Sequence, residues 1–258
     1  MAQRISAART LCTLLLCSLL ALGACASNKP APISDEARFK QVESHYRLGL
    51  DALQKNNLPK AFDELLLAER LDPRRADVLD ALGYAWRVRG NLEKSGDYYT
   101  RSLAIDPAAR TWNNYGTLLL AMDNPKKAEE AFRKALEDPR YPHPDFAYTN
   151  LGDALLMQNR FDDAIAAYRQ ARLLNPLQET SRLKEAAAYR EHNRPEFAKA
   201  MYETILRDDP ANKQALEGLL GMLQDEGEAR LQLETFIKAT REPMDRAWAE
   251  EMLKGMKP

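Results

Sequence analysis

The residues that most often support metal or acid–base chemistry are few in this sequence and far apart. His45, His143 and His192 fall in three separate parts of the chain, and none has a second histidine or a carboxylate at metal-ligand spacing. Asp162 and Asp163 begin a predicted helix, where the helix dipole explains them better than acid–base catalysis. The sequence contains no glycine-rich phosphate loop and no Gly-x-Ser-x-Gly motif. We therefore predict no catalytic residue, no metal site, no cofactor and no enzymatic activity.

Charge and cysteine content exclude further classes of protein. The formal net charge of the 258 residues is −1, so no basic field indicates a nucleic-acid partner. All three cysteines, Cys12, Cys17 and Cys25, lie near the start, and none follows. A disulfide framework and a thiolate metal site are thereby excluded from the body of the chain. We predict neither a nucleic-acid partner nor a small-molecule substrate.

Cys25 has neighbours that suggest a modification. Arg4 and Arg9 precede an apolar run, Leu11–Leu22, which is shorter than the roughly 20 residues that span a bilayer and is typical of a secretion signal. The run ends in Leu22-Gly23-Ala24-Cys25, which resembles the bacterial lipobox. The resemblance implies cleavage before Cys25 and acylation of that cysteine, and the absence of aspartate after it implies the outer membrane. The alternatives are a signal peptide that is cut elsewhere and a buried core segment.

These features divide the chain into three predicted parts. Residues 1–24 are expected to be a lipoprotein signal peptide, and residues 25–35 a lipidated N-terminus with a tether. The tether contains two prolines and small polar residues, which disfavour a helix. Residues 36–258 are expected to form one folded domain.

That domain is organised as a repeat of about 34 residues. In the clearest copies an aromatic residue precedes Gly116 or Gly152 by four positions, and alanines follow the glycine at twelve and nineteen and an aromatic at sixteen. Asparagines recur in the predicted turns with spacings of 34, 33, 35 and 34: Asn57, Asn91, Asn124, Asn159 and Asn193. This pattern resembles the tetratricopeptide (TPR) repeat, a helix–turn–helix unit. The resemblance implies an all-α, right-handed superhelix (α-solenoid) of about six repeats with a C-terminal capping helix.

Three places depart from the pattern. Ala186 replaces the glycine of the fifth repeat, and Ser95 and Ser102 stand where the second repeat would have alanine. Residues 138–145 lengthen the spacing between Gly116 and Gly152 to 36 and contain three prolines, which predicts a stiff extended loop. This loop is either a tolerated surface insertion or a feature that faces a partner.

In TPR proteins the first helix of each repeat lines a concave groove, and this resemblance supplies our candidate partner-binding residues. They are Tyr46, Leu50, Leu53, Tyr84, Asn113, Asn114 and Asn150. The lysines that accompany such asparagines in chaperone-binding TPR proteins are missing, which argues against a terminal carboxylate as the ligand. The first repeat is apolar along this line, and its packing is expected to use Leu48, Gly49 and Ala52 instead. The apolar stripe either binds a partner or is covered by the first residues of the mature chain.

The lipobox, the number of repeats and the segments 112–116, 141–142 and 148–152 together resemble the TPR pilotins, the type IV pilus biogenesis lipoproteins. The resemblance implies a lipid-anchored protein on the periplasmic face of the outer membrane that binds a secretin subunit and assists secretin localisation and multimerisation. The alternative is a general periplasmic TPR scaffold that docks cell-wall enzymes or outer-membrane assembly machinery.

Overall fold

The computed structural model describes residues 34–256, and this range forms thirteen α-helices and no β-strand. The helices are α1 (Asp35–Gln54), α2 (Leu58–Leu71), α3 (Ala76–Val88), α4 (Leu92–Ile105), α5 (Ala109–Ala121), α6 (Pro125–Leu136), α7 (Pro144–Leu156), α8 (Phe161–Leu174), α9 (Glu179–Glu191), α10 (Pro195–Asp208), α11 (Lys213–Leu220), α12 (Glu226–Ala239) and α13 (Pro243–Gly255). The predicted signal peptide, Cys25 and nearly all of the predicted tether lie outside the described residues.

The chain divides into two compact units, Met1–Gln41 and Val42–Pro258. Of the first unit the structure describes residues 34–41, which form the start of α1. There the Ser34 hydroxyl accepts a hydrogen bond from the Ala37 amide at 3.2 Å, and Arg38 and Lys40 pair with Asp35 and Glu36. Local side-chain pairs of this kind support the first turns of a helix.

The second unit contains the repeats. Its helices form six successive pairs, α1/α2 to α11/α12, and α13 follows as a single last helix. From α2 onward each helix packs against the next one, and the first helices α3, α5, α7, α9 and α11 also contact one another in order. The prediction of an all-α TPR solenoid with about six repeats and a terminal helix is confirmed. Because each helix pair packs on the pairs before and after it, short pairs together build one continuous core.

One contact recurs inside each of the first four repeats, between a glycine of the first helix and a large side chain sixteen residues later. A Cβ atom added to Gly83, Gly116 or Gly152 would lie 2.7, 2.5 or 2.4 Å from the ring of Tyr99, Phe132 or Tyr168. Gly49 faces Leu65 in the same way, at 2.6 Å. Any side chain at these positions would collide with the facing residue, so the glycines set how closely the two helices approach.

The fifth repeat lacks a glycine at this position and has a different close contact. Ala186 stands at the glycine position, and the large residue sixteen positions later is Tyr202, which is 3% exposed. The close glycine contact comes from the sixth repeat, because a Cβ atom on Gly218 would lie 2.4 Å from the Tyr202 ring. The missing glycine is therefore replaced by one in the next repeat.

The recurring asparagines occupy two kinds of position in the turns. Asn57 and Asn91 are N-caps whose side chains accept hydrogen bonds from the amides three residues later, at 3.3 and 3.0 Å. Asn159 and Asn193 instead have left-handed backbones, with φ of 59° and 55°. In all five turns a residue with positive φ directly precedes the N-cap, so the turns share one geometry, and asparagine suits either of the two positions.

The two serines of the second repeat are fully buried and hydrogen-bonded. Ser95 Oγ donates to the Gly83 carbonyl and Ser102 Oγ to the Ala76 carbonyl, each at 2.7 Å. These bonds tie α4 to α3 and satisfy the hydroxyls, so replacing alanine by serine leaves no buried polar group without a partner here.

Candidate protein-binding site

The candidate residues of the first repeat do not form one exposed stripe. Tyr46 is only 9% exposed and belongs to a core cluster with Val42 and Phe62, and Leu53 is half-buried against the same cluster. Leu50 is 37% exposed. The prediction that this line is not needed for the fold is wrong for Tyr46, because its ring fills the interface between the first two repeats.

The predicted packing line of the first repeat also needs one correction. Gly49 and Ala52 are buried as expected, but Leu48 is 40% exposed. Leu48 and Leu50 are thus two leucines of α1 with similar exposure, and they point to different sides of the helix because they are two residues apart.

The asparagines of the third and fourth repeats join neighbouring repeats to each other. Asn114 Nδ2 donates to Asp80 Oδ1 at 3.1 Å, and Asn150 Nδ2 donates to Asn113 Oδ1 at 3.0 Å. In both cases the acceptor stands three residues before the glycine of one repeat, and the donor two residues before the glycine of the next. The three asparagines are half-buried and Asp80 is buried, and the two bonds link the first helices of neighbouring repeats as a ladder. Their contact with a partner stays a prediction.

Arg110 is the centre of a polar cluster that spans the first three repeats. Its Nη2 atom lies 3.2 Å from Asp80 Oδ2, and its guanidinium lies beside the Tyr46 hydroxyl. Asp80 is 4% exposed and also accepts the bond from Asn114. A carboxylate this deeply buried needs a counter-charge and hydrogen-bond donors, and Arg110 and Asn114 supply them.

The environment of this cluster shifts the titration of its members. Burial raises the pKa of Asp80, and the nearby Arg110 and Asn114 oppose that shift only partly. Burial likewise raises the pKa of the Tyr46 hydroxyl, again against the effect of Arg110. Burial lowers the pKa of Arg110, but Asp80 and Tyr46 outweigh it, so that pKa is raised and the guanidinium stays charged.

The proline-rich loop carries a buried aromatic residue to the same region. Tyr141 is 8% exposed and packs with Ala109, Trp112 and Ala147, from α5 and α7. Burial, and then the charge of Asp145, raise the pKa of Tyr141 to about 12. The loop therefore anchors α7 against α5, which is a structural role that a tolerated surface insertion would not need.

The other end of the loop faces outward. His143 is exposed and lies edge-on to the ring of Phe146, with 5.9 Å between ring centres, and Phe146 is 50% exposed. The insertion and the first turn of α7 thus present an inward tyrosine, Tyr141, and an outward histidine–phenylalanine pair, His143 and Phe146. The second alternative from the sequence, a partner-facing feature, fits the outward pair and stays a prediction.

Tyr84 occupies the same position in the second repeat as Leu50 in the first, one residue after the close-contact glycine. Tyr84 is 38% exposed, and the Arg87 guanidinium lies over its ring at 5.1 Å from the ring centre. The corresponding residues of the next repeats are polar, namely Thr117 and Asp153. We call Leu50 and Tyr84 the apolar end of the first-helix face.

Two features of this site were not predicted from the sequence. Arg110 stands at a helix start without a motif around it, so no sequence signal marked its central role. The ladder had a signal, because Asp80 and Asn114 are 34 residues apart, which is one repeat length. Within residues 34–256 no group of three His, Cys, Asp or Glu residues could hold a metal ion, and no helix in that range is long and apolar enough to cross a membrane.

Comparison with known proteins identifies the repeats and a relative. The tetratricopeptide repeat family matches residues 46–110 and 107–172. The type IV pilus assembly protein PilF of Pseudomonas aeruginosa is 28% identical over 193 residues, which are 73% of this chain and 75% of PilF.

Solved structures show the same fold. The structure of Pseudomonas aeruginosa PilF matches with a TM-score of 0.62 and 22% identity, over 84% of this chain and 92% of that one. The structure of PilW, described as a widely conserved type IV pilus biogenesis factor, matches with a TM-score of 0.68 and 20% identity, over 81% and 98%. The chain is therefore a tetratricopeptide repeat protein and a homologue of PilF.

Proposed function

We propose that this protein is a non-enzymatic, lipid-anchored assembly factor for type IV pili that binds an outer-membrane secretin subunit and assists its localisation and multimerisation. The observation that carries the proposal is the similarity to PilF, which spans about three-quarters of both chains. Similarity confined to a few TPR units would support a protein-binding role alone. Similarity over most of six repeats and of the relative supports a shared task in pilus assembly.

The apolar end of the first-helix face is the surface that we propose for the secretin subunit. Leu50 and Tyr84 stand at equivalent positions of neighbouring repeats, and both are more than one-third exposed. Fully burying one such side chain contributes roughly 1.5–3 kcal/mol before the costs of association. Because Leu50 and Tyr84 are only 37% and 38% exposed in the free protein, binding can bury about a third of that surface, so truncating one of them is expected to weaken binding about two- to sixfold.

The membrane anchor is the second part of the proposal. It is supported by the lipobox-like sequence Leu22-Gly23-Ala24-Cys25. Acylation of Cys25 would place the protein on the periplasmic face of the outer membrane, and several acyl chains hold a protein more firmly than one. Cys25→Ser is expected to leave the precursor uncleaved and unlabelled by radioactive palmitate. Normal labelling of that variant would exclude Cys25 as the anchor.

A deletion strain tests the function itself. Loss of the gene is expected to reduce heat-stable secretin multimers on a gel and to abolish surface pili. Complementation with Leu50→Ala and Tyr84→Ala together is expected to restore few multimers. Leu48→Ala is the matched control, because Leu48 is a similarly exposed leucine of α1 on a different side of the helix.

Two outcomes would contradict the proposal. If the deletion strain keeps normal multimers and normal pili, the general scaffold that docks cell-wall enzymes or outer-membrane assembly machinery becomes the better interpretation. If the deletion has its effect but the Leu50 and Tyr84 variants restore multimers as well as Leu48→Ala does, the secretin subunit binds another surface.

A further inference from the structure

A second surface, away from the first-helix face, has the form of a ligand groove. It lies between α8 and α10, the second helices of the fourth and fifth repeats, with α9 beneath them, and has a volume of about 510 Å³. That volume is within the usual range for ligand sites. The α9 residues that line it, Arg182, Glu185 and Tyr189, share a face of the helix different from that of Lys184, which reaches back to Asp153.

One wall of the groove is aromatic and apolar. Phe197 on α10 is stacked on Tyr189 of α9, with 5.3 Å between ring centres and 21° between the ring planes. Tyr189 is 6% exposed, whereas Phe197 is 59% exposed. The lower ring is thus held in the core, while the upper ring presents its free face to the groove. An exposed aromatic ring on a rigid support is typical of an anchor site for an apolar side chain.

The opposite wall is positively charged. Arg172 Nε lies 3.0 Å and Arg169 Nε 3.6 Å from the carboxylate of Glu185, which is 2% exposed. Among the carboxylates of the described residues, Glu185 is the one in ion-pair contact with these two arginines. Two guanidinium groups that share one carboxylate leave one uncompensated positive charge. Arg169 also donates to the Tyr189 hydroxyl at 2.6 Å, which fixes its position beside the aromatic wall.

The third arginine of the groove does not add to this charge. Arg182 pairs with Asp208 at 2.6 Å and so is balanced. The excess charge is therefore located on α8, across the groove from the aromatic wall on α10. A guanidinium group prefers carboxylate oxygens, which it can bind with two parallel hydrogen bonds.

We propose that this groove binds an extended peptide segment of a partner protein in which an aromatic side chain stands next to an acidic one. The aromatic side chain would pack on Phe197, and the carboxylate would pair with Arg169 and Arg172. The charge of the α8 wall favours this occupant, because a ligand that contacts both walls must combine an apolar group with a negative charge. The site is independent of the apolar end of the first-helix face, so its failure would leave the proposed secretin function untouched.

The test uses the full-length chain, purified in mild detergent, and a synthetic fluorescent peptide with the core Asp-Phe-Glu-Phe-Asp between Gly-Ser linkers. A second peptide with lysine at each acidic position is the control. We expect fluorescence anisotropy to show saturable binding of the acidic peptide and at least tenfold weaker binding of the lysine peptide. Raising the salt concentration should weaken binding of the acidic peptide, because the arginines are partly exposed and salt screens their charges.

Variants locate the binding in the groove. Phe197→Ala is expected to weaken binding of the acidic peptide at least tenfold, and Arg169→Gln to weaken it at least threefold. Leu231→Ala, which removes a similarly exposed apolar side chain of α12 outside the groove, should leave binding unchanged. Circular-dichroism melting of each variant checks the fold, and Arg169→Gln leaves Glu185 its shorter contact, with Arg172.

Three results would overturn the proposal. The first is no binding of the acidic peptide at millimolar concentration, and the second is equal binding of both peptides. The third is a concentration-dependent dimer in sedimentation that Phe197→Ala abolishes while no peptide binds, which would assign the groove to a second copy of the chain.

Discussion

Removal of the Arg110 side chain is the sharpest test of how the first three repeats are held together. Arg110→Ala leaves Asp80, which is 4% exposed, without its counter-charge. The side chains of Asn114 and Thr111 still hydrogen-bond to that carboxylate, so Asp80 keeps hydrogen-bond donors but no opposite charge. The fold should therefore be destabilised even though Arg110 itself stands at the surface end of the pair.

The size of the effect follows from the burial of the two partners. Breaking a fully buried ion pair costs about 3–5 kcal/mol. Here the Arg110 side chain is 53% exposed and the Asp80 side chain 6%, so solvent screens one side of the pair. We therefore expect a loss of about 1–3 kcal/mol in the free energy of unfolding, or roughly 2–12 °C in melting temperature for a chain of this size.

A double-mutant cycle isolates the electrostatic part of this loss. Asp80→Asn keeps an oxygen that can accept the Asn114 hydrogen bond and removes the buried charge, so we expect it to change stability by less than about 1 kcal/mol. In the Asp80→Asn background, Arg110→Ala should lower the free energy of unfolding far less than it does in the wild type. A coupling of about 1–2 kcal/mol, measured by urea unfolding at pH 7, is the expected result.

The pH dependence has a defined sign. Because burial raises the folded-state pKa of Asp80, its carboxyl stabilises the fold most when protonated, below its unfolded pKa, and this contribution is lost as pH rises through the folded pKa. Arg110→Ala removes a group that opposes the shift and should raise that pKa further. The stability gap between wild type and variant is therefore expected to narrow on acidification from pH 7. Additive losses in the cycle, with a gap that does not depend on pH, would refute this account of the cluster.

Three further predictions concern packing and are checked by thermal melting. Tyr46→Ala should destabilise the protein by about 3–5 kcal/mol, whereas Leu50→Ala should change the midpoint little, and equal effects would contradict the difference in their burial. Gly152→Ala should lower the free energy of unfolding by about 1–3 kcal/mol, because its Cβ would lie 2.4 Å from the Tyr168 ring. Gly96→Ala is the control, because its Cβ would have its nearest neighbour at 3.7 Å, and it should be neutral or stabilising. Tyr141→Ala should also cost about 3–5 kcal/mol, and an unchanged midpoint would show that the loop does not anchor α7.

The repeat architecture could be predicted from the sequence because its signals are periodic. A close-contact glycine, small residues at fixed distances and a turn asparagine each recur about every 34 residues, and each has one physical cause in the packing of a helix pair. The structure confirms six pairs and a last helix, including the divergent sixth pair. Even the exception at Ala186 was visible as a break in the period, although its compensation by Gly218 was not.

The candidate site was harder to predict, because the position of a residue in a repeat does not fix its exposure. Tyr46 and Leu50 occupy neighbouring turns of one helix, yet Leu50 is 37% exposed and Tyr46 only 9%, since Tyr46 packs in the core cluster that the first two repeats form together. Arg110 and Tyr141 contribute through contacts to Asp80 and Ala147 that depend on how repeats stack. Such contacts join residues in different repeats and leave no local pattern in the sequence.

The arrangement around Tyr202 limits how this array of repeats can change in length. In the first four repeats the glycine and the large residue it contacts belong to the same unit, so a whole unit could be duplicated or deleted as a module without breaking that contact. The fifth unit is not self-contained in this sense, since the glycine that accommodates Tyr202 is supplied by Gly218 of the sixth. A chain shortened after Pro210 would keep Tyr202 but lose its contact with Gly218. A chain shortened after any of the first four units would keep every glycine contact of its remaining units. By this contact the fifth and sixth units form one structural module of two repeats.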